Sequence, residues 1–203
     1  MNSIEILSEI FSHFPGIGPR QAKRFVYYLL SRDKGTIESF VNAVEKLKVE
    51  TSQCTECKRY FSIGGSRAQS LICNVCGDES RDSSLLMLVP RDADFDAVEK
   101  SGGYKGLYFV LGGSLPILEK EPQKRIRINE LGIRMKRDKN KIKEVILAMN
   151  ANAEGENTSV FIKEKFKGSD FMFSELGRGL STGSELEYAD PDTLKNALLH
   201  RTK

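Results

Sequence analysis

The chain has 203 residues, of which 39% are hydrophobic and 29% are charged, and its formal net charge is +3. This length allows one ordinary domain with one or two small modules, and the hydrophobic share supports a packed core. No apolar run approaches the roughly 20 residues of a membrane helix, so composition predicts a soluble protein and excludes a membrane span.

The first fifty residues predict three helices, because apolar residues recur there at helical spacing. The first helix carries Ile4, Leu7, Ile10, Phe11 and Phe14, the second Ala22, Phe25, Val26, Leu29 and Leu30, and the third Ile37, Phe40, Val41, Val44 and Leu47.

The sequence Pro15-Gly-Ile-Gly-Pro19 separates the first two helices and predicts a tight hairpin with outward-facing amides. Unpaired N–H groups at a helix N-terminus favour an anion. Basic side chains at the start of the second helix oppose its dipole, and a bound DNA phosphate would offset that cost. The alternative is an ordinary turn beside a solvated basic helix end. The predicted phosphate contacts are Gly16, Ile17, Gly18, Arg20, Lys23 and Arg24.

All four cysteines of the chain, Cys54, Cys57, Cys73 and Cys76, form two Cys-x2-Cys pairs. This spacing predicts a tetrahedral zinc site with sulfur to metal distances of about 2.3 Å. Two disulfides or two redox pairs are the alternative, but nothing at the N-terminus resembles a signal peptide, so a reducing cytoplasm is expected. Four thiolates close the coordination sphere, so the zinc would hold structure without performing catalysis.

From residue 85 onward, apolar strands and amphipathic helices alternate. This order implies a mainly parallel sheet covered on both faces, with its working loops beyond the carboxyl ends of the strands. The loop from Asn150 to Gly155 lies at such an end. The predicted strands are 85–89, 107–111 and 144–149, and the predicted helices include 94–100 and a segment around 160–166.

These motifs occur together with Asn150-x3-Glu-Gly-Glu-x-Thr158, with Gly179-x4-Ser-Glu-Leu-Glu-Tyr-Ala-Asp190, and with Thr193-Leu-x2-Ala-Leu198. Together they resemble the RecR family of bacterial recombination mediators over nearly the whole chain. The resemblance implies a mixed α/β fold with four parts. These are a helix-hairpin-helix DNA-binding domain at 1–53, a four-cysteine zinc finger at 54–77, a Toprim domain with a parallel sheet at 78–170, and a C-terminal strand and helix segment at 171–203.

The resemblance also implies a function. Members of this family act as non-enzymatic DNA-binding clamps in recombinational repair, working with RecO and RecF to load RecA at single-stranded gaps. It implies a homotetrameric ring around single- or double-stranded DNA, one structural zinc ion per chain, and a cytoplasmic location at the bacterial nucleoid.

Three positions depart from catalytic Toprim domains, which hold magnesium with a glutamate and an Asp-x-Asp pair. Pro90 stands where that glutamate aligns, and Asn150 and Asn152 stand where the aspartates align. Neutral amides lack the charge that holds magnesium, so a magnesium-dependent Toprim nuclease or topoisomerase-like enzyme is the rival hypothesis. In addition, residues 114–122 replace the Ser-Pro-Leu-Asp-Gly segment of the family, which leaves partner contacts through that loop open.

Positive charge is concentrated in residues 120–143, where ten basic residues stand against three acidic ones. A solvated helical face is one interpretation of such a run. The other is a positive field along the inner wall of a ring, which would hold phosphates and still permit sliding. The second interpretation predicts that Arg134, Lys136 and Arg137 face DNA.

Overall fold

A computed structural model of the chain describes residues 1–63, 71–180, 183 and 185–199. Part of the predicted zinc finger (64–70) and part of the predicted C-terminal segment (181, 182, 184 and 200–203) lie outside the described residues. The described chain is a mixed α/β protein with two compact units. The first unit contains residues 1–52 with 62 and 63, and the second contains 53–61 with the rest of the described chain.

The helices are α1 (Ser3–Ser12), α2 (Pro19–Leu30), α3 (Lys34–Val49), α4 (Asp92–Ser101), α5 (Pro122–Arg125), α6 (Ile128–Arg137), α7 (Ala153–Lys165) and α8 (Pro191–Leu199), with a 3-10 turn at Leu186–Tyr188. The strands are β1 (Thr51–Gln53), β2 (Tyr60–Ser62), β3 (Asp82–Val89), β4 (Gly106–Val110), β5 (Glu144–Leu147) and β6 (Met172–Glu175).

The core of the first unit lies between α1 and α2, as the apolar spacing predicts. Asn2 caps α1, because its side chain accepts the Glu5 N–H at 3.0 Å while the Glu5 carboxylate accepts the Asn2 N–H at 3.0 Å. Phe11, Ala22 and Val26 are the buried residues of this core. The predicted helical hairpin is therefore confirmed as a packed pair.

The third helix forms where it is predicted, and its apolar face is exposed. Its N-cap is Asp33, whose side chain accepts the Thr36 N–H at 3.0 Å. No residue of α3 is buried, and on its apolar face Phe40 is 46% exposed and Leu47 is 63% exposed. Periodicity predicts where a helix forms and which face is apolar, but it does not say what covers that face.

The second unit is built on a four-stranded, fully parallel sheet in the order β4-β3-β5-β6. Leu88 of β3 lies opposite Phe109 of β4 on one side and Leu147 of β5 on the other. The prediction of a parallel sheet is confirmed. The sheet also includes β6, which the sequence analysis assigns to the C-terminal segment.

Each face of this sheet is covered by different elements, because successive side chains of a strand point in opposite directions. On one face, Leu86 and Leu88 pack with Leu131 of α6 and Ile162 of α7. On the other face, residues of β3 and β4 pack with helix α4 and with the cysteines. The buried members of this second cluster are Met87, Val89, Tyr108, Val110, Phe95, Ala148, Cys54, Cys57, Cys73 and Val75.

The strand order changes direction at β3, because β4 lies on one side of it and β5 on the other. In open parallel sheets, ligands bind in the crevice at such a switch point, beyond the carboxyl ends of the strands. Pro90 follows β3 there, and Asn150 follows β5. The side chain of Asn152 caps α7 by accepting the Gly155 N–H at 2.8 Å.

The loop between β5 and α7 is tightly folded around Gly155. This glycine is buried, and a Cβ added to it would run into the carbonyl oxygen of Asn150. The neighbouring atoms belong to backbone, so a side chain here cannot be accommodated by a rotamer change alone.

We therefore expect Gly155→Ala to lower the free energy of unfolding by about 1–3 kcal/mol through overpacking. Gly132→Ala is the matched control, because Gly132 also lies in a helix and its added Cβ would meet only the ring of Phe166 at 3.9 Å. That control should leave stability unchanged or raise it by up to about 1 kcal/mol. Urea unfolding followed by circular dichroism measures both, and equal stabilities would contradict the close approach.

Candidate metal centre and nucleic-acid interface

The four cysteine sulfurs converge on one point. Their Sγ atoms all lie within 4.8 Å of one another, and those of Cys57 and Cys73 are 3.6 Å apart. A tetrahedral ion with sulfur ligands at about 2.3 Å requires sulfur separations of about 3.8 Å. The cluster can therefore hold one metal ion, and its donor set of four thiols suits zinc.

Both cysteine pairs use the same local backbone bond. The Lys58 N–H donates to the Cys54 carbonyl at 3.0 Å, and the Gly77 N–H donates to the Cys73 carbonyl at 3.0 Å. The Cys73 N–H also donates to the Cys54 sulfur at 3.3 Å. Such amide to sulfur bonds orient a thiolate and stabilise its charge when it binds a metal.

Four thiols this close cannot ionise independently. Hydrogen bonding from Cys57, and then from Cys73 and Cys76, holds the pKa of Cys54 below its usual value. The same contact with Cys54 raises the pKa of Cys57. A cation at the centre removes this conflict, because it can stabilise all four sulfurs as thiolates.

The four-cysteine cluster is joined directly to the sheet. The Val110 N–H of the edge strand β4 donates to the Cys57 carbonyl at 2.8 Å. Glu56, between the first two cysteines, accepts from the Arg137 guanidinium of α6 at 3.0 Å. The metal centre is therefore part of the packing of the second unit, and its cysteines belong to the core described above.

The same contacts show where two of the predicted DNA-facing residues lie. Arg134 is 5% exposed, and its Nη1 donates to the Tyr108 carbonyl at 3.1 Å. Arg137 bridges Glu56 and Asp138, and this bond to Arg137 lowers the pKa of Asp138. Arg134 is therefore not on an exposed surface that could face DNA, because it is buried and its guanidinium donates to a backbone carbonyl of β4.

The third predicted residue of that group, Lys136, is exposed on α6. Sequence reasoning missed the anionic partners Glu56 and Asp138, which hold the two arginines. The spacing of Arg134 and Asp138, four residues apart on a helix, was the available signal for one of these pairs. Glu56 is distant from Arg137 in sequence, so no spacing signal indicated that pair.

The hairpin between α1 and α2 has the predicted turn. Gly16 has a φ of +77°, and Gly18 is the N-cap of α2 but has no side chain with which to cap it. The first turn of α2 contains no acidic residue. Exposed basic side chains follow on this helix: Arg20, Lys23 and Arg24.

One of the three predicted hairpin amides is already used. The Ile17 N–H donates to the Phe14 carbonyl at 3.0 Å, which closes the turn, and the Ile17 side chain packs against the core of the first unit. Within the described residues, no backbone acceptor is assigned to the amides of Gly16 or Gly18. In the second unit, Pro90 follows β3, and Asn150 and Asn152 follow β5.

None of the described helices combines the length and the apolar character needed to cross a membrane.

Comparison with known proteins assigns the chain to a family. Residues 4–48 match the family model "RecR, helix-hairpin-helix", residues 84–175 match "Toprim domain", and residues 179–202 match "RecR, C-terminal". The chain is 37% identical to the recombination protein RecR of Staphylococcus saprophyticus over 98% of its own length and 96% of that protein. It is 36% identical to the RecR of Staphylococcus aureus strain Newman, with the same coverage. The chain therefore belongs to the RecR family of recombination proteins.

Proposed function

We propose that this protein is a non-enzymatic DNA-binding scaffold of recombinational repair, which acts with RecO and RecF to load RecA at single-stranded gaps. It would do this in the cytoplasm, at the bacterial nucleoid. The observation that carries the proposal is the hairpin, which exposes cations and an uncapped helix N-terminus in a chain of the RecR family.

The hairpin suits phosphate because it offers donors and charge together. The amides of Gly16 and Gly18 and the first turn of α2 supply N–H groups, while Arg20, Lys23 and Arg24 supply charge. Such contacts do not depend on base identity, so binding would extend to single- and double-stranded DNA of any sequence. Ile17 supports the turn through its side chain and its bond to Phe14.

The four cysteines would hold one structural zinc ion. Cys54, Cys57, Cys73 and Cys76 bring four sulfurs together and leave no ligand position for water or substrate. Zinc is the ion that this donor set and geometry favour over magnesium or calcium, which bind oxygen.

The proposal includes a homo-oligomer, in the form of a tetrameric ring. Its support on the chain is the apolar face of α3, because exposed apolar surface of this kind favours association with another chain. Within such a ring, Lys136 would face DNA. Arg134 and Arg137 would hold the helix that presents it.

The absence of enzymatic activity is proposed from the crevice of the parallel sheet. Pro90 offers no carboxylate there, and the side chain of Asn152 is engaged in capping α7. Glu154 and Glu156 are both exposed at the start of α7, and Glu156 is paired with Arg178 at 2.8 Å. Neither glutamate stands at the three positions where catalytic Toprim domains hold magnesium, which Pro90, Asn150 and Asn152 occupy here.

For the hairpin, we expect the double variant Arg20→Ala with Arg24→Ala to weaken binding to duplex and single strands alike. Each lost phosphate contact should flatten the log-log salt dependence by roughly one unit, with little change in sequence preference. Fluorescence anisotropy at several salt concentrations measures this. The control is Lys46→Ala with Lys48→Ala, which removes equal charge from the last turn of α3. Equal salt-dependence slopes in the two variants would show that the hairpin makes no specific phosphate contact.

For the metal, we expect elemental analysis to find one zinc per chain and Cys57→Ser to lower both zinc content and melting temperature. Structural zinc contributes about 10–16 kcal/mol of apparent binding free energy in finger peptides, so its loss should unfold at least this region. Thr55→Ser, at an exposed non-ligand in the same loop, is the control. If Cys57→Ser does not accumulate, chelation of the native protein replaces it, and an unchanged melting curve after metal removal would refute the structural role.

For catalysis, we expect no nicking of supercoiled plasmid by the purified protein with Mg²⁺, because the crevice lacks the acids that bind the metal. Gel electrophoresis over a time course measures this, with Glu154→Gln as the comparison. Nicking that copurifies with the protein and disappears in Glu154→Gln would establish the enzymatic alternative.

A further inference from the structure

The second unit contains a cavity on the α6 and α7 side of the sheet. Its volume is about 250 Å³, and it lies between α6, the end of α7 and the turn that leads to β6. The lining side chains that matter here are Met135 and Lys136 from α6, Lys139 from the turn that follows α6, and Phe166, Asp170 and Phe171 from the end of α7 and the turn after it.

The inner part of this cavity is apolar and aromatic. Met135 is buried, while the rings of Phe166 and Phe171 are half-buried and pack at the edge of the core. Gly132 faces the ring of Phe166, with 3.9 Å to an ideal Cβ, so position 132 of α6 leaves space over that ring. Drug-sized ligands occupy pockets of about 300–1,000 Å³, so this smaller volume suits a single flat ring.

The rim of the cavity is cationic. Lys136 and Lys139 are exposed, and within the described chain no salt bridge joins either of them to a carboxylate. This differs from Arg134 and Arg137 of α6, which form salt bridges with Asp138 and Glu56. Two unneutralised cations beside an aromatic recess are the combination that single-stranded nucleic acid requires, namely a stacking surface and a positive track for the backbone.

We propose that this cavity receives one unstacked base of single-stranded DNA, with Lys136 and Lys139 holding the adjoining phosphates. The inference rests on the proposed DNA-binding function and deepens it, because it assigns a contact that separates single strands from duplex. A paired base cannot enter without leaving its stack, which costs a few kcal/mol. Asp170 at the rim can accept a hydrogen bond from an exocyclic amine of the base.

Two kinds of variant test the recess and the rim separately. Gly132→Leu fills the space over Phe166 without changing charge, and Leu is favourable in a helix, so the fold should persist. It should weaken binding of a single-stranded oligonucleotide about tenfold with an unchanged salt slope. Gly132→Ala is the control, because its Cβ makes only ordinary contact, and it should bind like the native chain.

The double reversal Lys136→Glu with Lys139→Glu should also weaken single-strand binding at least tenfold, and it should flatten the log-log salt slope by about 1.4, at about 0.7 per phosphate on single strands. The control reverses two exposed lysines elsewhere in the same unit, Lys100 and Lys105. The melting temperature is measured for every variant. If Gly132→Leu has a lower melting temperature than its control, Phe171→Leu is used in its place, because it removes the stacking ring and keeps an apolar side chain.

The experiment compares a single-stranded oligonucleotide, the same sequence as a duplex, and deoxycytidine monophosphate as competitor, because cytosine carries the exocyclic amine from which Asp170 would accept a hydrogen bond. Loss of single-strand affinity in Gly132→Leu with less than twofold change for duplex, together with a larger loss for single strands than for duplex in the lysine variant, supports the inference. Native-like single-strand affinity in both Gly132→Leu and the lysine variant would overturn the inference. In that case, loss of duplex binding in the hairpin variant would still support the proposed function. Competition by the free nucleotide at the oligonucleotide's own affinity would overturn the assignment to a DNA strand. A native protein that binds neither DNA would refute the proposed function itself.

Discussion

The attachment of the four-cysteine cluster to the sheet is the contact on which the second unit depends. Cys54, Cys57 and Cys73 are fully buried together with Met87 and Tyr108, so the sulfur cluster serves as part of the hydrophobic cover of one sheet face. A parallel sheet requires cover on both faces. Among the described residues of the cysteine loops themselves, Val75 is the one buried apolar residue besides the cysteines. A bound metal would therefore stabilise these loops in place of a larger hydrophobic core.

The charges of α6 are divided by this arrangement. Arg134 and Arg137 point toward the cysteine cluster and the sheet, where Asp138 and Glu56 neutralise them. Arg134 is the buried cation of this set, so removal of Asp138 would leave its charge without an anionic partner, whereas Arg137 is half-exposed and remains solvated. Lys136 and Lys139 do not share these partners. The two arginines of α6 are thus paired with acids beside the cysteine cluster, whereas Lys136 and Lys139, which follows the helix, are exposed and outside these pairs.

The sequence predicted the parts of the structure that depend on local pattern. Apolar runs located β3, β4 and β5 because buried parallel strands contain little else, and cysteine spacing located the metal centre because two short pairs can meet at one ion. What it missed depends on distant partners. The sequence of a basic run does not show which cations pair with distant acids, as Arg137 does with Glu56. The apolar periodicity of α3 is likewise the same whether its apolar face is exposed or covered. The bond from Ile17 to Phe14 was equally invisible, since it depends on how the turn closes.

The crevice at the switch point shows that the fold does not require acids at the positions of Pro90, Asn150 and Asn152. Asn152 needs only a side-chain oxygen to cap α7, and an amide serves as well as a carboxylate for that bond. Gly155 is required by the backbone of Asn150 whatever the metal-binding capacity of the loop. The structural demands on this loop are therefore independent of magnesium, so loss of acids leaves the sheet intact. For the proposed DNA-binding scaffold this separation would be useful, because phosphate contacts at the hairpin and beside α6 would require no metal ion that activates water.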